Sequence, residues 1–230
     1  MTAAVGWGAF AASSLVLGAL LALGRTWSDQ SVGLVLSFGA GALISAVSFE
    51  LFEEGVAEAG ALPVALGLAA GAFTYFALDR PIERKPDAGG SALALGAFLD
   101  GIPEQLVLGI GIAVGDGVSV GLLAAVFVSN LPEAIGSSSD MLQAGRPRSE
   151  IMRLWCGVAF VCALATIAGY GLADAASDEL KGVINGFAAG ALLVMLADSM
   201  IPEAYANGGR TVGFLTVCGF LIAAALSVAQ

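Results

Sequence analysis

Apolar runs of about 20 residues succeed one another along the whole chain, and a run of that length crosses the hydrocarbon core of a bilayer as a helix. Eight can be read, near 4–24, 31–53, 59–79, 90–114, 117–139, 150–173, 181–204 and 211–229. They are continuously apolar, without the strict alternation of a transmembrane β-barrel strand. Of the 230 residues 58% are hydrophobic and 12% are charged, about half the charge of a soluble domain. Disordered, collagenous, coiled-coil and disulfide-scaffold classes are excluded. The expectation is an all-α polytopic membrane protein of eight transmembrane helices, one domain over 1–230, and no separate soluble part. The longest polar stretch, 79–90, carries Pro81, Pro86 and Gly89-Gly90 and reads as a flexible loop. No Lys or Arg precedes Arg25, so the basic start of a signal peptide is missing and the first run is expected to stay as a span.

Lys and Arg collect on the cytoplasmic side of membrane proteins. Arg25 lies between spans 1 and 2, Arg80, Arg84 and Lys85 between spans 3 and 4, Arg146, Arg148 and Arg153 around the join of spans 5 and 6, and Arg210 between spans 7 and 8. Only Lys181 falls on the other side. The alternation supports the span count and puts both termini on the non-cytoplasmic side of the cell membrane. Cys156, Cys162 and Cys218 all lie inside spans with no C-x-x-C spacing, and read as small packing residues.

Spans 2 and 7 match at an offset of 149 residues: Phe38-Gly39-Ala40-Gly41-Ala42-Leu43-Ile44 against Phe187-Ala188-Ala189-Gly190-Ala191-Leu192-Leu193. Span 2 runs outward and span 7 inward. The arrangement expected is therefore an inverted repeat of spans 1–3 and 6–8 around spans 4–5, a recurring plan of secondary transporters.

The chain has 19 acids and 9 bases, and six of the acids fall within spans: Glu50, Asp100, Glu104, Glu133, Asp198 and Glu203. Each such charge costs about 2.5–3.5 kcal/mol on insertion scales, and no base lies deep in a span to pair with them. Protons, water or a bound cation must offset that cost. Asp100 and Glu104 sit about 10 to 14 residues into span 4, mid-membrane at ~1.5 Å per residue, and share one helix face. Span 5 brings Ser129, Asn130 and Glu133 to the same depth. Glu50 lies near the outer end of span 2, with Glu53, Glu54 and Glu58 as a solvated rim, and Asp198 and Glu203 lie near the inner end of span 7. The order is outer mouth, centre, inner mouth. Asp100-Gly101-Ile102-Pro103-Glu104, Ser129-Asn130-Leu131-Pro132-Glu133 and Ser199-Met200-Ile201-Pro202-Glu203 share a Pro-Glu close. Each proline leaves the carbonyl four residues back without its donor, at Leu99, Val128 and Asp198. A carbonyl and a carboxylate within one turn suit a cation.

These residues resemble the ZIP family of divalent-metal transporters, whose fourth span typically carries His-Asn-x-Pro-Glu-Gly and whose fifth carries a related motif. The counterparts are Asp100-Gly101-Ile102-Pro103-Glu104-Gln105 and Ser129-Asn130-Leu131-Pro132-Glu133-Ala134, and the stretch 191–204 resembles the family's seventh span. The resemblance implies eight spans, both termini outside and metal held between spans 4 and 5. The chain departs from the family in having no histidine, so Asp100 stands for the imidazole. Gly101 stands for an asparagine, and span 6 has no acid deeper than Glu150 to bridge two metals. The loop at 79–90 also lacks a His-rich tract. One principal metal position is expected.

The expected metal ligands are Asp100, Glu104, Ser129, Asn130 and Glu133, with Glu50, Asp198 and Glu203 along the pathway. The resemblance points to zinc-like ions, while an all-oxygen set suits harder ions such as Mn²⁺. The function expected is transport of a divalent transition-metal cation by alternating access. The rivals are a metal-sensing or scaffolding homologue that does not transport, and a proton-coupled carrier of another cation. An enzyme is not expected, since no histidine can serve as base or zinc ligand. The metal ion is substrate and no cofactor is expected. The bilayer is the expected environment, nucleic acid is not an expected partner, and a homodimer stays open.

Overall fold

A computed structural model describes residues 1–83, 91–114, 120–173, 175 and 177–228, with the side chains of a few helical residues, Arg80 and Asp100 among them, outside the described set. The described chain is helical almost throughout. Its elements are α1 (Thr2–Gly24), α2 (Asp29–Ala46), α3 (Glu54–Ala59), α4 (Ala61–Glu83), α5 (Ser91–Val114), α6 (Val120–Gln143), α7 (Arg148–Leu172), α8 (Asp178–Met195), α9 (Ile201–Gly208) and α10 (Val212–Val228). Two π-helical stretches, Val47–Glu53 and Leu196–Met200, carry α2 into α3 and α8 into α9 without a break. The described residues therefore make eight helical rods.

Six stretches of the described residues are long and apolar enough to cross a bilayer: Thr2–Gly24, Asp29–Ala59, Ala61–Asp79, Ala94–Ala113, Arg148–Leu172 and Asp178–Ser227. Two physical facts separate this from the eight runs read in the sequence. The last stretch contains a reversal, because Gly209 takes φ +62, a left-handed conformation that suits glycine, and a 3₁₀ turn over Gly209–Thr211 follows. Neighbours along α2 show the consequence. Gly33 lies against Ala204 and Gly208 while Gly39 lies against Met200, so α9 runs antiparallel to α2; Gly41 lies against Thr216 and Phe220, so α10 runs alongside α2 in the same direction. The other difference is α6, several of whose first residues have side chains outside the described set. It carries Ser129, Asn130, Glu133, Ser137, Ser138, Ser139 and Asp140, and every residue from 132 to 139 is buried. Polarity of that degree is tolerated because α1, α2, α5 and α10 surround it.

Helix ends differ from the expectation in two places. The second rod continues past 53 to Ala59, where Gly60 at φ +81 turns the chain into α4. In addition, α4 runs through Pro81 to Glu83, so the polar loop expected from 79 starts later; residues 84–90, with Pro86 and the glycine pair, lie outside the described residues.

Several local devices recur at the 149-residue offset. Ser28 caps α2 by accepting from the Ser31 amide at 3.2 Å, and Ser177 caps α8 by accepting from the Leu180 amide at 3.3 Å. Asp29 and Asp178 occupy the first turns, where a negative charge complements the helix dipole. The π-helical stretches begin at Val47 and Leu196, again 149 residues apart. Close helix approaches follow suit: Gly41 abuts the Thr216 carbonyl as Gly190 abuts that of Leu68, and Gly219 abuts the Phe38 carbonyl as Gly71 abuts that of Phe187. Small residues at such crossings let backbones meet, which is how helices associate in lipid.

Among the described residues, two large apolar clusters and a smaller one around Ala11, Leu108, Leu123 and Val126 fill the interior. One large cluster joins α2 and the α8 rod through Leu36, Leu43, Leu192 and Met195, with Tyr75 of α4. The other large cluster joins α1, α5, α6 and α7 through Leu15, Met141, Ile151 and Trp155. Meanwhile Leu62, Phe73, Phe160 and Phe214 point outward, each at least 65% exposed. A molecule apolar on its outside as well as within is an integral membrane protein, all-α and polytopic.

Candidate cation site

The Pro-Glu turns of α5 and α6 occupy the middle of the bundle, and the two helices pack on each other. Neighbouring helices grip the α6 turn closely. A Cβ added at Gly18 of α1 would lie 2.7 Å from the Leu131 carbonyl, and one at Gly39 of α2 would lie 2.7 Å from the Pro132 ring. The α5 helix is held in like manner, by Met195 of α8 against Gly96 and by Cys162 of α7 against Gly101. Pro103 and Pro132 both sit inside their helices.

Four of the five expected ligands have described side chains, and all four are interior: Glu133 is 0% exposed, and Glu104, Ser129 and Asn130 are each 1% exposed. Asp100 is helical in its backbone, but its side chain lies outside the described residues. The Oδ1 of Asn130 has no hydrogen-bond donor, an acceptor that a cation would satisfy. Ser129 donates its hydroxyl proton to the Val126 carbonyl at 3.1 Å, which leaves its oxygen lone pairs as acceptors. No base occurs in α5 or α6. Among the described residues no three His, Cys, Asp or Glu side chains gather closely enough to hold a metal. Glu104 and Glu133 are two buried carboxylates on adjoining helices, while the side chain of Asp100 is outside what is described.

The pathway residues separate. Glu50 lies on the first π-helical stretch, 8% exposed, with its Oε1 unpartnered. Glu54 is within electrostatic reach of Glu50 and Glu58, and Glu53, Glu54 and Glu58 are exposed, as a rim would be. Glu203 is half-buried and its carboxyl lies beside that of Asp140 of α6. Asp29 lies near Asp140 and accepts from Gln143 Nε2 at 3.1 Å, so one end of the bundle carries an acidic group of three. Asp198 differs from these: it is exposed, in a surface groove beside Phe73, Phe76 and Leu193.

Sequence reasoning passed over Asp140, which lies seven residues after Glu133 and so on the same helix face; that spacing is the signal that finds it. It also passed over Gln105 and Thr166, both fully buried, whose side chains hydrogen-bond between α5 and α7 with the Thr166 hydroxyl donating to Gln105 Oε1.

A polytopic helical membrane protein with carboxylates sealed in its core is the class that fold and site define. No family model matches the chain. The chain is similar to the zinc transporter ZIPB of Bordetella bronchiseptica, at 27% identity over 227 residues, covering 89% of this chain and 73% of that protein. The similarity supports the resemblance to the ZIP family.

Proposed function

We propose that this protein carries a divalent transition-metal cation, zinc or an ion of similar chemistry such as Mn²⁺ or Fe²⁺, across the cell membrane by alternating access. The observation that carries the reading is the pair Glu104 and Glu133, buried on adjoining helices in which no base occurs. Two buried carboxylates on adjoining helices offer the oxygen ligands that a divalent cation takes in a site of this kind. Glu104 and Glu133 act as principal ligands, with Asp100, Asn130 and Ser129 completing an oxygen shell. Glu50 collects ions at the outer mouth and Glu203 receives them at the inner one. Asp198, on the outward face, has at most a part in attracting ions there. The metal is substrate, no resident cofactor is needed, and no catalysis is proposed.

Eight spans with both termini outside are part of the reading. Arg25 and Arg148 line one cleft, and Arg210 follows Gly208, which lies against Gly33 near the start of α2, so these bases share one end, the cytoplasmic one under the usual rule. Alternating access draws support from the paired caps, π-helical stretches and glycine crossings that relate spans 1–3 to spans 6–8, since an inverted repeat lets one half rock against the other. The neighbouring carboxyls of Asp140 and Glu203 favour a second reading, a carrier that couples its cation to protons.

The test is metal uptake into proteoliposomes. Wild type is expected to show saturable Zn²⁺ or Mn²⁺ uptake, lost at least tenfold in the Glu104→Ala, Glu133→Ala double variant. Equal uptake by the two proteins contradicts the central site. Metal binding without flux in wild type points instead to a sensing or scaffolding role.

A further inference from the structure

Between α5 and α7 runs a groove of about 550 Å³ that opens sideways from the bundle and ends at two arginines. Leu95 and Phe98 form one wall, Gly157 and Val161 the other, and Arg146 and Arg153 line the end. From Arg153 to Val161 the groove follows about two turns of α7, roughly 12 Å at 1.5 Å per residue. Its middle is wide because Gly157 has no side chain: a Cβ there would meet nothing within 4 Å.

Both guanidinium groups are accessible. Arg153 is exposed and uses its Nε on the Ser149 carbonyl at 3.3 Å. Arg146, just ahead of α7, pairs with Glu150 in the first turn of that helix at 3.4 Å, with side chains 30% and 50% exposed. Pairs of that kind contribute only a few tenths of a kcal/mol, so a phosphate can displace Glu150 from it. A trough that is apolar along its length, open to the bilayer and basic at one end matches one chemistry: an acyl chain joined to a phosphate. Basic pockets between membrane helices hold anionic headgroups in this way, and guanidinium grips phosphate by two parallel hydrogen bonds.

We propose that this groove binds one anionic phospholipid, with an acyl chain along Leu95, Phe98, Gly157 and Val161 and the headgroup phosphate on Arg146 and Arg153. The lipid seats α7 against α5, the helix that carries Glu104, so its binding bears on the helix pair next to the candidate cation site.

The full chain in detergent, titrated with phosphatidylglycerol and followed by native mass spectrometry, tests this. Wild type is expected to take up one phosphatidylglycerol in preference to phosphatidylcholine. Arg146→Gln with Arg153→Gln is expected to weaken binding about tenfold or more, because each surface arginine contributes roughly this order of attraction to anionic lipid. Gly157→Phe, which fills the trough, is expected to remove binding while the thermal midpoint without lipid stays at the wild-type value. Equal binding by all three proteins overturns the proposal, as does equal uptake of phosphatidylcholine. Displacement of the lipid by inorganic phosphate at matching concentration also overturns it, since the trough then contributes nothing. A dimer that forms as lipid binding is lost overturns it in favour of a second copy in the groove.

Discussion

Glu133 has no exposed surface, so its charge is felt at full strength by whatever shares the interior. Glu133→Gln keeps the shape and removes the charge. It is expected to reduce metal uptake tenfold or more in proteoliposomes without lowering the thermal midpoint, whereas Glu53→Gln, at the exposed rim, should stay within about twofold of wild type. Gly101 invites a second test. A Cβ there would lie 2.9 Å from Cys162 Sγ, so the asparagine of the ZIP motif does not fit unless the Cys162 side chain gives way. Gly101→Asn is therefore expected to cost about 1–3 kcal/mol of stability as overpacking, and Cys162→Ala in the same chain should restore most of it, read as thermal midpoints. The central carboxylates were legible because an acid in an apolar run has few reasons to be there. The exposure of Asp198 was not legible, since position along a helix does not say which neighbour a side chain meets. Asp140 was passed over because it falls at the end of a span, where an acid excites no suspicion until the partner helix is known to carry Glu203.

The helices themselves were largely visible in the apolar runs; Gly60, Gly145 and Gly209, all of positive φ, mark turns that the runs alone did not single out. Nor were the two π-helical stretches visible in them. Pro202 accounts for a disturbed ladder in the α8 rod, since proline cannot donate to it, yet Val47–Glu53 has no proline and is π-helical at the matching place. The shared cause is tertiary: both stretches belong to rods clamped along one side by glycine crossings. Those crossings give an element-scale prediction. Gly41→Val and Gly190→Val each drive a side chain into a neighbouring backbone, at Thr216 and Leu68 respectively, and each should cost at least about 1–3 kcal/mol. Gly171→Val, where a Cβ meets nothing within 4 Å, should cost far less. Thermal unfolding in detergent reads the difference; equal loss at all three positions would show that the crossings do not hold the rods.

At the scale of the molecule, setting aside the six carboxylates expected in spans leaves 13 acids against 9 bases, so much of the acidic excess belongs to the proposed pathway. Composition and charge placement made the class legible. They did not reveal that α6 is enclosed by α1, α2, α5 and α10, a setting that suits a helix carrying Ser129, Asn130, Glu133 and Asp140. The central claim is that a divalent cation rests between α5 and α6 on Glu104 and Glu133. Anomalous scattering from crystals soaked separately in Zn²⁺ and Mn²⁺ tests it most directly. The expected result is one strong peak within bonding distance of both carboxylates, absent from crystals of the Glu104→Gln, Glu133→Gln variant. Peaks confined to the rim at Glu53, Glu54 and Glu58, or a central peak unchanged in the variant, would contradict it.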